Sequence, residues 1–253
     1  MSMAVTLKSQ REIDMMRRAG EIAAEALRIG GEAVRPGVTT KYINDVMHKF
    51  IKSKNAKPNF LGYGGFPGVA CISVNDEVIH GIPSGRLLTD GDIVSIDVGV
   101  LLNGYHSDNA NTFPCGNVSD EAMKLIEVTR QCFYEGLKFV QPGYRLGDVG
   151  NAISTYAHRN GFSVVRDYIG HGVGTQLHEE PDVPNYGVRG KGLRLQKGMT
   201  IAIEPMINMG GYEVEQSHPN GWTVTTKDGS LSAHYEHTVA VTDHEPLILT
   251  SQS

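Results

Sequence analysis

Cysteine is scarce in this chain: Cys71, Cys115 and Cys132 are an odd number, with neither a CxxC pair nor zinc-finger spacing. That excludes a disulfide framework and a cysteine-built structural zinc site. Long apolar runs are also missing, since no stretch approaches the ~20 residues of a membrane-spanning helix. The opening MSMAVTLKSQREIDMMRR turns charged early and has no apolar centre of signal-peptide type, so a cytoplasmic location is expected. Runs of Lys or Arg are absent and the formal charge is −5. That balance argues against a phosphate-backbone binder, so neither a specific nucleic acid nor a membrane is an expected partner, while transient contact with a ribosome stays compatible with it. No linker or low-complexity segment divides the 253 residues, which are long enough for one large core.

What the chain does have is an internal echo. Val34-Arg35-Pro36-Gly37 returns as Val140-Gln141-Pro142-Gly143, Ile79-His80-Gly81-Ile82-Pro83 as Leu177-His178-Glu179-Glu180-Pro181, and GDIVSID (Gly91 to Asp97) as GMTIAIE (Gly198 to Glu204). The order is the same each time, which favours two similar halves, about 9–116 and 117–250, within a single domain over 1–253. Two copies are too few for a solenoid and suit a two-lobed domain with its site on the pseudo-twofold axis.

The halves share a grammar of two helices followed by strands. Ser9-Gln10-Arg11-Glu12 is a capping-box pattern, and its helix runs until Arg35-Pro36-Gly37. Thr39 or Thr40 can cap a second helix, in which Ile43, Val46, Met47, Phe50 and Ile51 form one apolar face. Further helices are expected from about Ser119 to Val140 and from Leu146 to Asn160. Strand-like runs are Val69 to Val74, Ile93 to Leu101, Tyr105 to Phe113, Ser163 to Tyr168, Thr200 to Ile207, Trp222 to Thr226 and Tyr235 to Val241. The class expected is α+β, a curved and mostly antiparallel sheet covered on one side by helices. Two glycine-rich loops, Leu61 to Cys71 and Tyr168 to Pro181, look functional, because glycine lets backbone approach a ligand.

Asp97 and Glu204 each end an apolar strand-like run, where an ionised carboxylate costs several kcal/mol unless a cation meets it. Asn103-Gly104 is a strong hairpin signal; with a two-residue loop, Asp97 faces Ala110 and Asp108 faces Gly99. Asp97 and Asp108 then share a face of the sheet. In HYEHTVAV, alternation puts Glu236, Thr238 and Ala240 together on one face. With His171 these four carboxylates suit two divalent cations, and Mn, Fe, Co and Zn all stay open as the ion.

The segments SIDVGVLLNGYHSD, GHGVGTQLHEEP, TIAIEPMI and SLSAHYEHT resemble those of the type I methionine aminopeptidases of bacterial kind, with the likeness running from about Gln10 to Thr250. The resemblance implies a pita-bread fold of two αβ halves, and an enzyme that removes the initiator methionine from nascent polypeptide N-termini when the next residue is small. It implies Asp97, Asp108, His171, Glu204 and Glu236 as the metal ligands, with a bridging hydroxide attacking the scissile carbonyl. Glu204 would act as general base, His178 would meet the carbonyl oxygen and His80 would lie near the scissile nitrogen. Phe60, Tyr63, Phe66, Cys71, His80, Leu177, His178 and Trp222 would bind the substrate, and Asn75 and Ser232 match a peripheral monovalent-cation site of relatives. Such an enzyme is expected to be a monomer. Departures from the family pattern include Phe60, Phe66, Leu177, Asn109 and His234, the last standing where Gln is usual.

Two rival readings remain. A prolidase or aminopeptidase P shares the fold but usually carries a separate N-terminal domain. A pita-bread binding protein that has lost its metals is opposed by the intact set of five ligand positions.

Overall fold

The protein is described by a computed structural model over residues 4–216 and 219–251. Ser9 and Glu12 exchange side-chain-to-backbone hydrogen bonds, a capping box that opens α1 (Gln10–Glu32). Thr39 caps α2 (Thr40–Ser53), which buries Ile43, Met47 and Ile51. Then come β1 (Lys57–Pro58), β2 (Cys71–Val74), β3 (Glu77–Ile79) and the hairpin of β4 (Ile93–Leu102) and β5 (Tyr105–Pro114). Ser119 caps α3 (Asp120–Leu137), and α4 (Leu146–Arg159) packs beside it. The remaining strands are β6 (Ser163–Val164), β7 (Gly170–Gly172), β8 (Glu179–Val183), β9 (Thr200–Ile203), β10 (Met206–Asn208), β11 (Val214–Glu215), β12 (Val224–Thr226), β13 (Ser232–His234), β14 (Glu236–Ala240) and β15 (Leu247–Ile248).

The principal sheet runs β1-β4-β5-β14-β9-β7-β8, with β2 added on β4 and β15 on β14. Its pairings are antiparallel, and the two halves of the chain meet where β5 lies beside β14. Two three-stranded sheets, β13-β10-β6 and β11-β12-β3, flank it. Apolar alternation decides which face is which. Val94, Ile96, Val98 and Val100 of β4 join a buried cluster with α1 and α2, while Ile201, Ile203 and Val239 join one with α3 and α4. Asp97, Glu204 and Glu236 have the other parity and point away from those clusters.

The Asn103-Gly104 turn has φ of 51° and 84°, the paired positive values that a two-residue type I′ loop demands. The register follows from it, with Asp97 opposite Ala110 and Gly99 opposite Asp108 as the sequence predicts. Elsewhere the strands differ from expectation. The run Thr200 to Ile207 is two strands, because Pro205 has no N–H to continue the ladder and the chain bends at Glu204-Pro205 into β10. The run Ser163 to Tyr168 shrinks to β6, and β7, β8, β11, β13 and β15 carry no sequence pattern of their own. Most of them are two- or three-residue segments that become strands only through their neighbours.

Candidate active site and metal centre

Five adjacent strands of the principal sheet deliver the five ligand candidates. Asp97 comes from β4, Asp108 from β5, Glu236 from the start of β14, Glu204 from the residue after β9, and His171 from β7. Ala110 pairs with both Asp97 and Glu236, which sets those two carboxylates in one row across three strands. Asp108 is fastened by Thr238, whose hydroxyl accepts from the Asp108 amide and donates to its carbonyl, both at 2.9 Å. Asn185 holds the backbone of Glu204, its side chain donating to the Glu204 carbonyl at 3.0 Å. His171 reaches the sheet because it is flanked by Gly170 and Gly172: a Cβ on either would lie 2.3 Å from a carbonyl oxygen, of Ala202 or Glu180 respectively.

The imidazole of His171 is oriented by its neighbour. Its Nδ1 lies 2.8 Å from the Gly172 carbonyl oxygen, which can only accept, so the proton is on Nδ1 and the Nε2 lone pair faces the site. That Nε2 stands 3.6 Å from Glu204 Oε1 and 3.9 Å from Asp108 Oδ2. Ligand atoms of Asp108, His171 and Glu236 lie within 4.8 Å of one another.

Electrostatics at this point is strained unless a cation is present. Burial, and then the neighbouring carboxylates, push Asp97, Glu204 and Glu236 well above the usual carboxylate range; burial takes Asp108 up to about 7. Burial also lowers His171 to about 3, so the imidazole is neutral and available as a donor. Asp97 Oδ1, Asp108 Oδ1 and Glu236 Oε1 are buried without a hydrogen-bond partner among the described residues. Leaving buried acceptors unmet is costly, and a divalent cation supplies what they lack. The donor set of carboxylates and one neutral imidazole fits a first-row divalent metal.

The carboxylates open onto a cavity of about 180 Å³ whose lining holds all four of them and the His171 imidazole together with the eight substrate-binding candidates. Phe60, Phe66, Cys71 and Leu177 form its apolar end, with Trp222 packed against them. Tyr63 stands at the rim, half exposed, and its hydroxyl shares a 2.9 Å hydrogen bond with His178 Nδ1. The His178 ring lies 4.1 Å from that of His171. His80 sits opposite, edge-on to Tyr168 and Trp222, with φ of 59°, a left-handed backbone that is costly outside glycine and tends to persist at functional sites. Burial lowers it to about 4, so it is a neutral imidazole near neutral pH. A larger open groove, about 700 Å³, lies between residues 4–5 and the 180–193 segment, but it holds no comparable convergence of buried acids.

Other sequence candidates are also placed. Asn75 and Ser232 adjoin, the Ser232 amide donating to the Asn75 carbonyl at 2.9 Å. Their side chains are engaged elsewhere, Asn75 with Asp92 and Ile93, Ser232 with Asn208 and Ile207. Asn109 pairs with Val98 and His237 and so lies on the opposite face from the carboxylates. His234 is the residue whose position the sequence did not reveal: it is 2% exposed and its Nε2 faces Glu204 and Glu236. Its parity with Glu236 was the available signal, hidden by the break at Tyr235 between β13 and β14.

Comparison with known proteins agrees with this geometry. The sequence model of Metallopeptidase family M24 matches residues 14–243. A methionine aminopeptidase of Clostridium perfringens is 52% identical, the alignment covering 97% of this chain and 98% of that one. The crystal structure of methionine aminopeptidase from Rickettsia prowazekii superimposes with a TM-score of 0.96 at 45% identity, covering 98% of this chain and 100% of that one. The prolidase from Pyrococcus furiosus shares the pita-bread fold alone, with a TM-score of 0.78 at 23% identity over 98% of this chain and 66% of its own. With its carboxylate-lined sheet and its full-length relatives, the chain belongs to metallopeptidase family M24, among the methionine aminopeptidases.

Proposed function

We infer that the protein is a metalloaminopeptidase that removes the initiator methionine from nascent polypeptide N-termini when the second residue is small. The observation that carries this reading is the apolar pocket of Phe60, Phe66, Cys71 and Leu177 opening directly onto the buried carboxylate cluster. A small apolar end of this kind suits one unbranched thioether side chain. Asp97, Asp108, His171, Glu204 and Glu236 would hold two divalent ions, drawn from Co, Mn, Fe or Zn. When bound, such ions supply Lewis acidity that activates water and polarises a carbonyl. Around them the chain does the rest. Glu204 takes the proton of the attacking water. His178, held at the rim by Tyr63, hydrogen-bonds the carbonyl oxygen as charge develops, and His80 lies beside the departing nitrogen. Asn75 and Ser232 are kept as candidates for a monovalent cation. The working unit is proposed to be one monomeric catalytic domain, with halves at about 9–116 and 117–250, acting in the cytoplasm and touching the ribosome transiently. No helix among the described residues is long and apolar enough to cross a membrane.

The test is a peptide panel with the purified, metal-reconstituted protein. Methionine should be released from Met-Ala-Ser and not from Met-Lys-Ser, with Ala-Pro-Ser left whole. Cleavage of Ala-Pro-Ser alone would move the chain to the prolidase reading, and inactivity with each of the four metals would favour a binding protein.

A further inference from the structure

His234 is a buried imidazole with an orphaned nitrogen. Its Nε2 has no hydrogen-bond partner among the described residues, although it stands 3.7 Å from Glu204 Oε2 and 3.9 Å from Glu236 Oε2. Leaving a buried ring nitrogen unpaired costs free energy, so its placement calls for a role that completes elsewhere in the working cycle. Its backbone is pinned and the side chain is enclosed. The Thr112 hydroxyl binds both the amide and the carbonyl of His234 at 2.9 Å, Met206 pairs with it across β10, and the residue is 2% exposed.

The two oxygens of Glu204 face different partners. Oε1 looks toward His171 Nε2 at 3.6 Å, the nitrogen whose lone pair is turned into the metal site. Oε2 looks the other way, toward His234. A carboxylate asked both to bind a metal and to accept a proton needs its two oxygens kept apart in role, and a third group that orients a base is a recurrent device. Apo hydrogen bonds of this kind are commonly long and tighten when the site is filled.

We propose that His234 is a positioning residue: its Nε2–H donates to Glu204 Oε2 and fixes which oxygen of Glu204 meets the attacking water. This rests on the aminopeptidase reading above and adds to it a residue that acts through Glu204, the nearer of the two carboxylates its Nε2 faces. The His234 proton then belongs on Nε2, and the nitrogen is not itself a metal donor.

Three measurements test it. In nitrogen-15 NMR of the zinc-loaded protein, His234 should carry its proton on Nε2. A bare Nε2 that shifts on zinc addition as His171 does would make it a ligand and overturn the proposal. Kinetics on Met-Ala-Ser come second: His234→Leu should lower kcat by about 10- to 100-fold with KM nearly unchanged, and His234→Gln, which keeps an N–H donor, should recover most of the loss. A His234→Leu enzyme with wild-type kcat, or a Gln variant no better than Leu, would sink it. Calorimetric titration with Co(II) and Mn(II) comes third and should give wild-type affinities for both variants; a tenfold or greater loss counts against positioning. If His234→Leu does not fold, the NMR of the unaltered protein still decides. Failure of the aminopeptidase reading would show separately, as wild-type protein that releases no methionine.

Discussion

At the scale of single residues, the chemistry depends on acids held where they are least comfortable. Glu204 illustrates the point: burial, and then the charge of Asp108, hold its proton on well above the usual range in the metal-free protein. Its side chain faces an imidazole on either hand, His171 and His234. Replacing the carboxylate by an amide keeps the shape and removes both the charge and the basic oxygen. Glu204→Gln is therefore expected to lower kcat on Met-Ala-Ser by at least about 100-fold and to weaken one of two metal-binding events in calorimetry. Wild-type turnover in that variant would take Glu204 out of the mechanism. Asp97, its counterpart in the echo, has no imidazole partner among the described residues and is proposed to serve as a ligand only.

At the scale of elements, the loop between β7 and β8 has to be held still, because it carries Leu177 and His178. An extended segment before α1 does this. Lys8 forms a nearly buried ion pair with Glu179, and the Thr6 hydroxyl donates to the same Glu179 oxygen at 2.8 Å. The other Glu179 oxygen accepts from the Gln176 amide at 3.0 Å, closing the loop on itself. Gly174 is needed there, since a Cβ would stand 2.4 Å from the Glu179 carboxylate and 2.6 Å from the Lys8 side chain. Removing one partner of a buried pair leaves the other charge uncompensated, at a cost on the order of 3 kcal/mol. Lys8→Met should thus speed amide exchange across 174–179 and reduce kcat/KM, with the metal affinity of the wild type. Unchanged exchange in that segment would show that the loop holds itself.

At the scale of the whole molecule, the metal site makes folding depend on pH and on metal together. The unfolded chain titrates its carboxylates near 4 and its histidines near 6.5. In the fold, burial raises Asp97, Asp108, Glu204 and Glu236, with Asp108 at about 7, and lowers His80 to about 4 and His171 and His234 to about 3. Below pH 6.5 the two groups oppose each other, since the fold retains carboxyl protons but excludes imidazolium protons. Above it the histidines are neutral in both states, and only the carboxylates still bind more protons in the folded state. Stability of the chelated protein should then fall as pH rises from about 6.5 to 8. Divalent metal should reverse the trend, because binding needs the carboxylates ionised and releases their protons. Thermal melts of chelated and metal-loaded protein across that range check it; parallel curves would contradict the assignment of these acids to a metal site.

Much of this was legible in the chain because it is local. The capping box at Ser9, the Asn103-Gly104 turn and the alternation in β4 each depend on a few neighbouring residues, and they sufficed to put Asp97 and Asp108 on one face before any packing was known. The doubled motif likewise pointed to two halves and to Glu204. What the sequence could not decide by itself is non-local. The order β4-β5-β14-β9-β7, which brings ligand candidates separated by up to 139 residues of chain (Asp97 to Glu236) into one cluster, is set by sheet pairing across the two halves. The short strands β7 and β13 exist only because neighbours supply their hydrogen bonds. The bend at Glu204-Pro205 and the break at Tyr235 turn two strands out of the principal sheet together, and that shared turn aims His234 at Glu204. Spacing along the chain names the chemical groups; only their burial on a common face gives the carboxylates raised proton affinities and oxygens without a hydrogen-bond partner among the described residues.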